Sequence, residues 1–165
     1  MTLHASIDYA AGIGEVFAML TDPDFQRLKI EATGALNHHV EISHTEQGWQ
    51  VVGRRTMPTD DAPDAARKML GETVLVTQTE VWSDASDDSG AREGTLNVKI
   101  EGVPLTVTGR MRLEGDDSRT TEVIDAELSS RVPLLGAKIV DAAKPLLLSA
   151  IRAERRCGEV WLREH

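Results

Sequence analysis

The chain opens with a stretch, TLHASIDY, in which apolar and polar residues alternate with the period of a half-buried β-strand. The next stretch, AGIGEVFAML, has apolar residues three and four positions apart, which predicts a short helix. TDPDF indicates a second helix, because Asp22 is a good N-cap residue and Pro23 suits the first helical position. Phe25 and Leu28 lie on the predicted apolar face of this second helix. The pattern therefore predicts one strand followed by two short helices.

About six further strands are predicted between residues 35 and 132, and most of them have one apolar and one polar face. Such strands form an antiparallel sheet that is covered on one side and exposed to water on the other. Neither face of ETVLVTQTEVW is clearly apolar, so the inward face of residues 72–82 stays open. The preceding segment, PTDDAPDAARKMLG, is interpreted as an acidic loop. The predicted strands are ALNHHVEISHTE, WQVVGRRTM, ETVLVTQTEVW, GTLNVKIEG, VPLTVTGRMRL and TTEVIDAELSSRV.

The last thirty residues predict one long helix, although Pro145 lies inside it. Helical spacing from Gly136 places most apolar side chains on one stripe and Pro145 on the opposite, water-facing side. A proline there bends the helix around whatever it covers. A bent helix against a curved sheet predicts an internal cavity, and the alternative is a bend that merely fits a filled core.

These elements predict an α+β fold in a single domain, residues 1–165. A curved antiparallel sheet of about seven strands wraps around the long C-terminal helix, with two short helices after strand 1. The chain resembles the START-like (SRPBCC, helix-grip) superfamily over nearly its whole length. It is also similar to a bacterial family of unknown function, domain-of-unknown-function family 2505. That similarity is carried by three stretches: VFAMLTDPDFQRLKIEATGA, EGVPLTVTGRMRL and VPLLGAKIV. The resemblance implies a pocket for a hydrophobic ligand between the sheet and the helix.

Composition narrows the classes of partner. The chain carries 18 basic and 27 acidic residues, a formal charge of −9, and no clustered basic stripe. Such a protein is a poor candidate for binding nucleic acid or an anionic membrane surface. One cysteine, no leader-like start and no apolar run of membrane-spanning length favour a cytoplasmic protein without integral membrane association. We predict no cofactor, and the oligomeric state stays open.

The histidines and the cysteine do not form a recognisable site in the sequence. His38 and His44 share a strand face but lie about 20 Å apart along it. His39 and Glu41 are neighbours without a third ligand nearby, so we predict solvent-facing side chains and no metal site. Cys157 lies on the apolar stripe of the last helix and is predicted to be a core residue. No catalytic residue is predicted.

Two charged residues fall where an apolar side chain is expected. Glu154 lies at the centre of the helix stripe, and Arg55 shares its strand face with Trp49 and Val51. A charge that faces a cavity must be paired or solvated. We therefore predict that Arg55 and Glu154 lie at the pocket, where they either pair or hold the polar end of a ligand. The alternative is a shift of register at Pro145 and a bulge at Gly53 that turns Arg55 outward.

The rest of the predicted pocket is apolar. Its lining is predicted to consist of Val51, Met57, Met69, Val98, Ile100, Leu105, Val107, Met111, Leu147 and Ile151. The favoured function is the binding or transport of a hydrophobic small molecule or lipid. A cyclase or aromatase-like enzyme is the alternative, and it is less favoured because it needs at least two convergent titratable groups. A partner-binding module with a filled core and an exposed apolar patch is the third.

Overall fold

The computed structural model describes residues 1–165 of the chain. It contains seven strands and four helices, in the following order along the chain: β1 (Thr2–Tyr9), α1 (Ile13–Leu20), α2 (Pro23–Glu31), β2 (Asn37–Thr45), β3 (Gly48–Pro58), α3 (Asp64–Leu70), β4 (Thr73–Trp82), β5 (Arg92–Ile100), β6 (Thr106–Gly115), β7 (Thr120–Ser129) and α4 (Gly136–Glu164). The predicted fold class is confirmed, since a curved antiparallel sheet is combined with a long C-terminal helix and two short helices after the first strand.

All seven strands belong to one sheet, in the order β1-β7-β6-β5-β4-β3-β2. Strands β2 to β7 pair antiparallel with their neighbours in sequence, and β1 pairs antiparallel with β7 at one edge of the sheet. Helix α4 packs against β1 and β7 and also contacts α1 and α2. The site described below lies between this helix and the inner face of the sheet.

Helix α2 begins as its sequence predicts, because the Asp22 side chain accepts a hydrogen bond from the Asp24 backbone N–H at 2.8 Å. Its buried face differs from the predicted one. Leu28 is exposed, whereas Lys29, one residue further, is buried. The reason is that Phe25 and Lys29, four residues apart, share the face that α4 and the sheet cover.

The predicted acidic loop at residues 58–71 contains a third short helix, α3, and this corrects the loop prediction. Asp64 lies in its first turn and Arg67 and Lys68 in its last turn, an arrangement that complements the helix dipole. Gly71 follows α3 with a positive φ of 81°, which glycine adopts without strain. No residue of α3 is buried, so this helix does not cover the sheet.

Helix α4 runs continuously through Pro145, which lies on its exposed side as predicted. Val140, Ala143 and Glu154 are buried on the predicted stripe, and Ala153 and Gly158 are buried as well. The helix packs closely against the sheet at Gly158. A Cβ atom at this position would lie 2.5 Å from Cε1 of Tyr9, so the small residue is required by the contact. The buried apolar side chains form two clusters, of 13 and 8 residues.

Candidate functional site

A cavity of about 50 Å³ lies between α4 and the inner face of the sheet. Hydrophobic side chains supply 11 of its 17 lining residues, from β1, α2, β5, β6, β7 and α4. The remaining residues are polar or charged and come from α2 and the turn after it, β3, β4 and α4. This volume holds only a few water molecules, because one water needs at least roughly 10–15 Å³ of such space.

Half of the predicted apolar lining surrounds this cavity. These residues are Val98, Val107, Met111, Leu147 and Ile151. Val51 instead lines a second, smaller cavity of about 10 Å³ beside the first. The structure corrects the placement of the other four. Met57, Ile100 and Leu105 lie at or beyond strand ends and pack against one of the apolar clusters. Met69 is 82% exposed on α3.

The charged end of the cavity is formed by Lys29, Glu80 and Glu154, all of which are buried. The Lys29 Nζ atom donates a hydrogen bond to Oε2 of Glu154 at 3.4 Å and lies 3.9 Å from Oε1 of Glu80. Burial alone would lower the pKa of Lys29, but the two carboxylates outweigh it and the pKa is raised. The lysine is therefore charged at neutral pH and bridges two acids from different elements.

Lys29 is absent from the site residues predicted from the sequence. A single lysine in a short amphipathic helix is usually exposed, and the predicted apolar face runs through Leu28 instead. The signal is present in the spacing, since Phe25, Gln26, Lys29 and Ile30 form the buried face of α2.

The inward face of β4 was the other open question. It carries Val76, Gln78, Glu80 and Trp82, and the Gln78 amide nitrogen donates to Oε1 of Glu80 at 2.8 Å.

A third buried carboxyl group, Glu122 on β7, lies next to Glu154. Burial and the neighbouring carboxylates of Glu154 and Glu80 raise the pKa of Glu122 well above its usual value. One oxygen of each group, Oε2 of Glu122 and Oε1 of Glu154, otherwise lacks a hydrogen-bond partner. The raised pKa favours a proton on Glu122, and an O–H of Glu122 that donates to Glu154 would satisfy both oxygens.

Tyr9 completes the buried cluster from the end of β1. Its side chain is buried against Gly158, and its hydroxyl has no hydrogen-bond partner. Burial and the carboxylates of Glu154 and Glu122 raise the pKa of Tyr9 far above its usual value, so the phenol stays protonated. Neither Tyr9 nor Glu122 lines the cavity.

Arg55 lines both cavities, because β3 continues in regular register through Gly53 without a bulge. The predicted pair with Glu154 is not formed, since Lys29 occupies that position. Burial lowers the pKa of Arg55, and its Nε atom is enclosed without a hydrogen-bond partner. Arg55 and Glu154 are therefore both at the cavity, but they do not neutralise each other.

The histidines form separate surface pairs. His38 contacts Glu31 at 3.1 Å, His39 contacts Glu41 at 3.0 Å, and His44 contacts Asp84 at 3.3 Å. No group of three or more histidine, cysteine or acidic side chains is arranged to hold a metal ion.

The comparison with known families agrees with the fold. The profile described as "Protein of unknown function (DUF2505)" matches residues 4–162. The chain belongs to the DUF2505 family. No curated protein is significantly similar to this DUF2505 protein. None of its helices is long and apolar enough to cross a membrane.

Solved structures share the fold of this DUF2505 protein at low sequence identity. A protein of Thermus thermophilus is 12% identical with a TM-score of 0.61, and the match covers 96% of this chain and 97% of that one. Norcoclaurine synthase from Thalictrum flavum is 10% identical with a TM-score of 0.58, covering 100% and 87%. A START superfamily protein from Mycobacterium smegmatis is 10% identical with a TM-score of 0.57, covering 97% and 98%. These likenesses establish the START-like fold alone.

Proposed function

We propose that this DUF2505 protein binds a small amphipathic molecule in the cavity under α4. The apolar body of the ligand contacts the side chains of β5, β6, β7 and α4, and its polar group contacts Lys29, Arg55 or Glu154. The observation that carries this proposal is the cavity itself, which is apolar over most of its surface and charged at one end. Ligand sites commonly combine an apolar lining with a few convergent polar groups.

The cavity volume restricts the size of the ligand. Ligand sites usually measure roughly 300–1,000 Å³, whereas this cavity measures about 50 Å³. A bound molecule must therefore displace flexible lining side chains such as Met111, Leu147 and Ile151. Burial of apolar ligand surface supplies about 25 cal/mol per Å² against that displacement. This balance favours a small molecule over a long-chain lipid.

One structural relative supports a ligand of this size. Norcoclaurine synthase from Thalictrum flavum has been solved in complex with dopamine and hydroxybenzaldehyde, at 12% identity and a TM-score of 0.57 to this chain. The fold is thus compatible with small aromatic ligands in that enzyme.

The test is native mass spectrometry of the protein after mild purification, followed by extraction of any bound molecule. We expect an added small mass, and a cavity-filling variant, Ala150→Phe, should lose it. Ala150 lines the cavity, whereas Ala142 lies on the exposed side of the same helix. Ala142→Phe is therefore the matched control and should keep the added mass. An added mass retained equally by both variants would place the ligand elsewhere.

The buried charges favour acid–base catalysis as a second candidate function. An enzyme of the cyclase or aromatase type needs convergent titratable groups at its pocket, and Glu154 and Lys29 line this one. Glu154 would give or take a proton at the ligand, and the raised pKa of the neighbouring Glu122 favours its protonated form. Such a positioned group contributes typically 10²–10⁴-fold to the rate.

A small β-diketone, acetylacetone, tests this second candidate, since its acidic carbon exchanges hydrogen for deuterium in heavy water. NMR would follow the exchange with wild-type protein and with Glu154→Gln. Catalysis predicts exchange above the buffer rate, reduced about 100-fold or more in the variant. Exchange at the buffer rate in both would remove the enzymatic candidate.

A further inference from the structure

Arg55 is a cation at the cavity without an anionic partner. Its guanidinium lines both the apolar cavity and the smaller cavity beside it, and its Nε atom is enclosed and makes no hydrogen bond. It takes part in neither ion pair of the buried cluster, both of which use Lys29. Only the Nε atom is enclosed, and the side chain as a whole is half-buried. A cation at a mostly apolar cavity without an ion-pair partner favours a ligand that brings an anionic group.

The neighbouring acids do not supply that anion. Glu80 and Glu154 lie 3.9 and 3.4 Å from the Lys29 ammonium, and Glu80 also accepts from Gln78. Burial and the neighbouring Glu154 raise the pKa of Glu122, which favours its uncharged form. The acids of the cluster therefore interact with Lys29 and with each other. None of them forms an ion pair with Arg55, which remains available to a ligand in the cavity.

A second, smaller cavity beside Arg55 is polar. It measures about 10 Å³ and joins the first through shared residues, including Lys29, Arg55 and Gln78. Only 2 of its 8 lining residues are hydrophobic, in contrast to the larger cavity. The larger cavity is mostly apolar, and the smaller one beside Arg55 is polar. This arrangement matches a molecule with an apolar body and a compact charged end.

We infer that the ligand of this cavity is a small carboxylate with an aliphatic or aromatic body, whose carboxylate is bound by the Arg55 guanidinium. This inference rests on the proposed function and adds the class of ligand to it. The planar fork of guanidinium donors matches the two oxygens of a carboxylate, which a point charge such as a lysine ammonium does not. The apolar body then occupies the space beside Leu147 and Ile151.

Three compounds with the same six-carbon chain test the inference: hexanoate, hexan-1-ol and hexylammonium. Each is titrated into the full chain at neutral pH, and binding is followed by NMR of the leucine and isoleucine methyl groups at the cavity. We expect hexanoate to bind at least about tenfold more tightly than hexan-1-ol, the usual gain from hydrogen bonds to a charged group. Hexylammonium should bind most weakly.

The variant Arg55→Met should remove this tenfold preference while hexan-1-ol binding is retained. Arg54→Met is the matched control, because Arg54 lies next to it on the same strand, is exposed and pairs with Glu41 at 3.8 Å. The control should keep the preference. The ranking of the three compounds with wild-type protein decides the question even if Arg55→Met does not fold.

The outcomes separate the two proposals. Equal binding of hexanoate and hexan-1-ol at the cavity methyl groups would overturn the carboxylate inference and leave the proposed function standing. Tighter binding of hexylammonium than of hexanoate would overturn the inference and indicate a cationic ligand that binds to Glu80 or Glu154. If none of the three compounds changes the chemical shifts of the cavity methyl groups at millimolar concentration, the proposed function itself would be overturned.

Discussion

Replacing Lys29 with methionine removes the only ammonium group in the buried cluster and leaves its acids in place. At an effective dielectric constant of about 20, the Lys29–Glu154 contact at 3.4 Å corresponds to about 5 kcal/mol of attraction. The Lys29–Glu80 contact at 3.9 Å corresponds to about 4 kcal/mol on the same scale. Desolvation of the three groups offsets much of this attraction in the wild type. The variant retains the desolvated acids without the compensating charge, and we expect it to lose about 3–5 kcal/mol of unfolding free energy at pH 7.

The assay is urea unfolding followed by circular dichroism, with equal denaturant slopes required for the comparison. Lys99→Met is the matched control. Lys99 Nζ lies 3.3 Å from Glu101 Oε1, a similar distance, but both side chains are exposed. Its loss should cost less than about 1 kcal/mol. The comparison thus isolates burial, because the geometry of the two pairs is similar.

The pH dependence of the difference gives a second check. The pKa of Lys29 is raised in the folded state, so its contribution is fully present below its unfolded value of 10.5 and is lost only as pH rises through the folded value. Between pH 5 and 7 the wild-type lysine therefore does not titrate. In the variant, a buried acid without its cation takes up a proton more readily, so the deficit should shrink from pH 7 to pH 5. A deficit below about 1 kcal/mol at pH 7, equal to that of Lys99→Met, would refute the reasoning.

Three further variants test other contacts by the same unfolding assay. Because the pKa of Glu122 is raised, its contribution to stability is present below the unfolded value of 4.5 and is lost as pH rises toward the folded value. Glu122→Gln mimics the protonated acid and should reduce this loss of stability with rising pH. An unchanged pH profile of the unfolding free energy would contradict a proton shared by Glu122 and Glu154. Gly158→Ala should lower the unfolding free energy by about 1–3 kcal/mol, because its Cβ would lie 2.5 Å from the Tyr9 ring. Gly14→Ala, with nothing within 4 Å of its Cβ, is the control and should be neutral or stabilising. Leu134 is 99% exposed with a φ of 67°, so Leu134→Gly should raise the unfolding free energy by about 0.5–1 kcal/mol, and a loss instead would show that the side chain makes stabilising contacts.

The architecture could be predicted almost entirely from local patterns. Alternation identified most of the strands, although not β4, and helical spacing identified α1, α2 and α4. The water-facing side of Pro145 followed from its angle on α4. The exception was α3, a helix without an apolar stripe because none of its residues is buried. A pattern of apolar residues reports burial, and an element that buries nothing leaves no such pattern.

The direction of a side chain from its own element could also be predicted. Glu154 fell on the apolar stripe of α4, and Arg55 fell on the inward face of β3, and both line the cavity. Glu122 carried the same signal, since it lies two positions before Ile124 on one face of β7. The period of an element determines which face a residue occupies, and that information is local.

Only the tertiary structure decided which of these charges meet. The sequence left open whether Arg55 pairs with Glu154 or holds a ligand, whereas the folded chain brings Lys29 from α2 to Glu154 and Glu80 and leaves Arg55 at the cavity. It also decided how much space remains between α4 and the sheet, about 50 Å³. Sequence periodicity assigns residues to faces but contains no distances between elements. Those distances depend on how the sheet curves and how α2 and α4 pack on it. The same distances determine which ion pairs form and how large the cavity is.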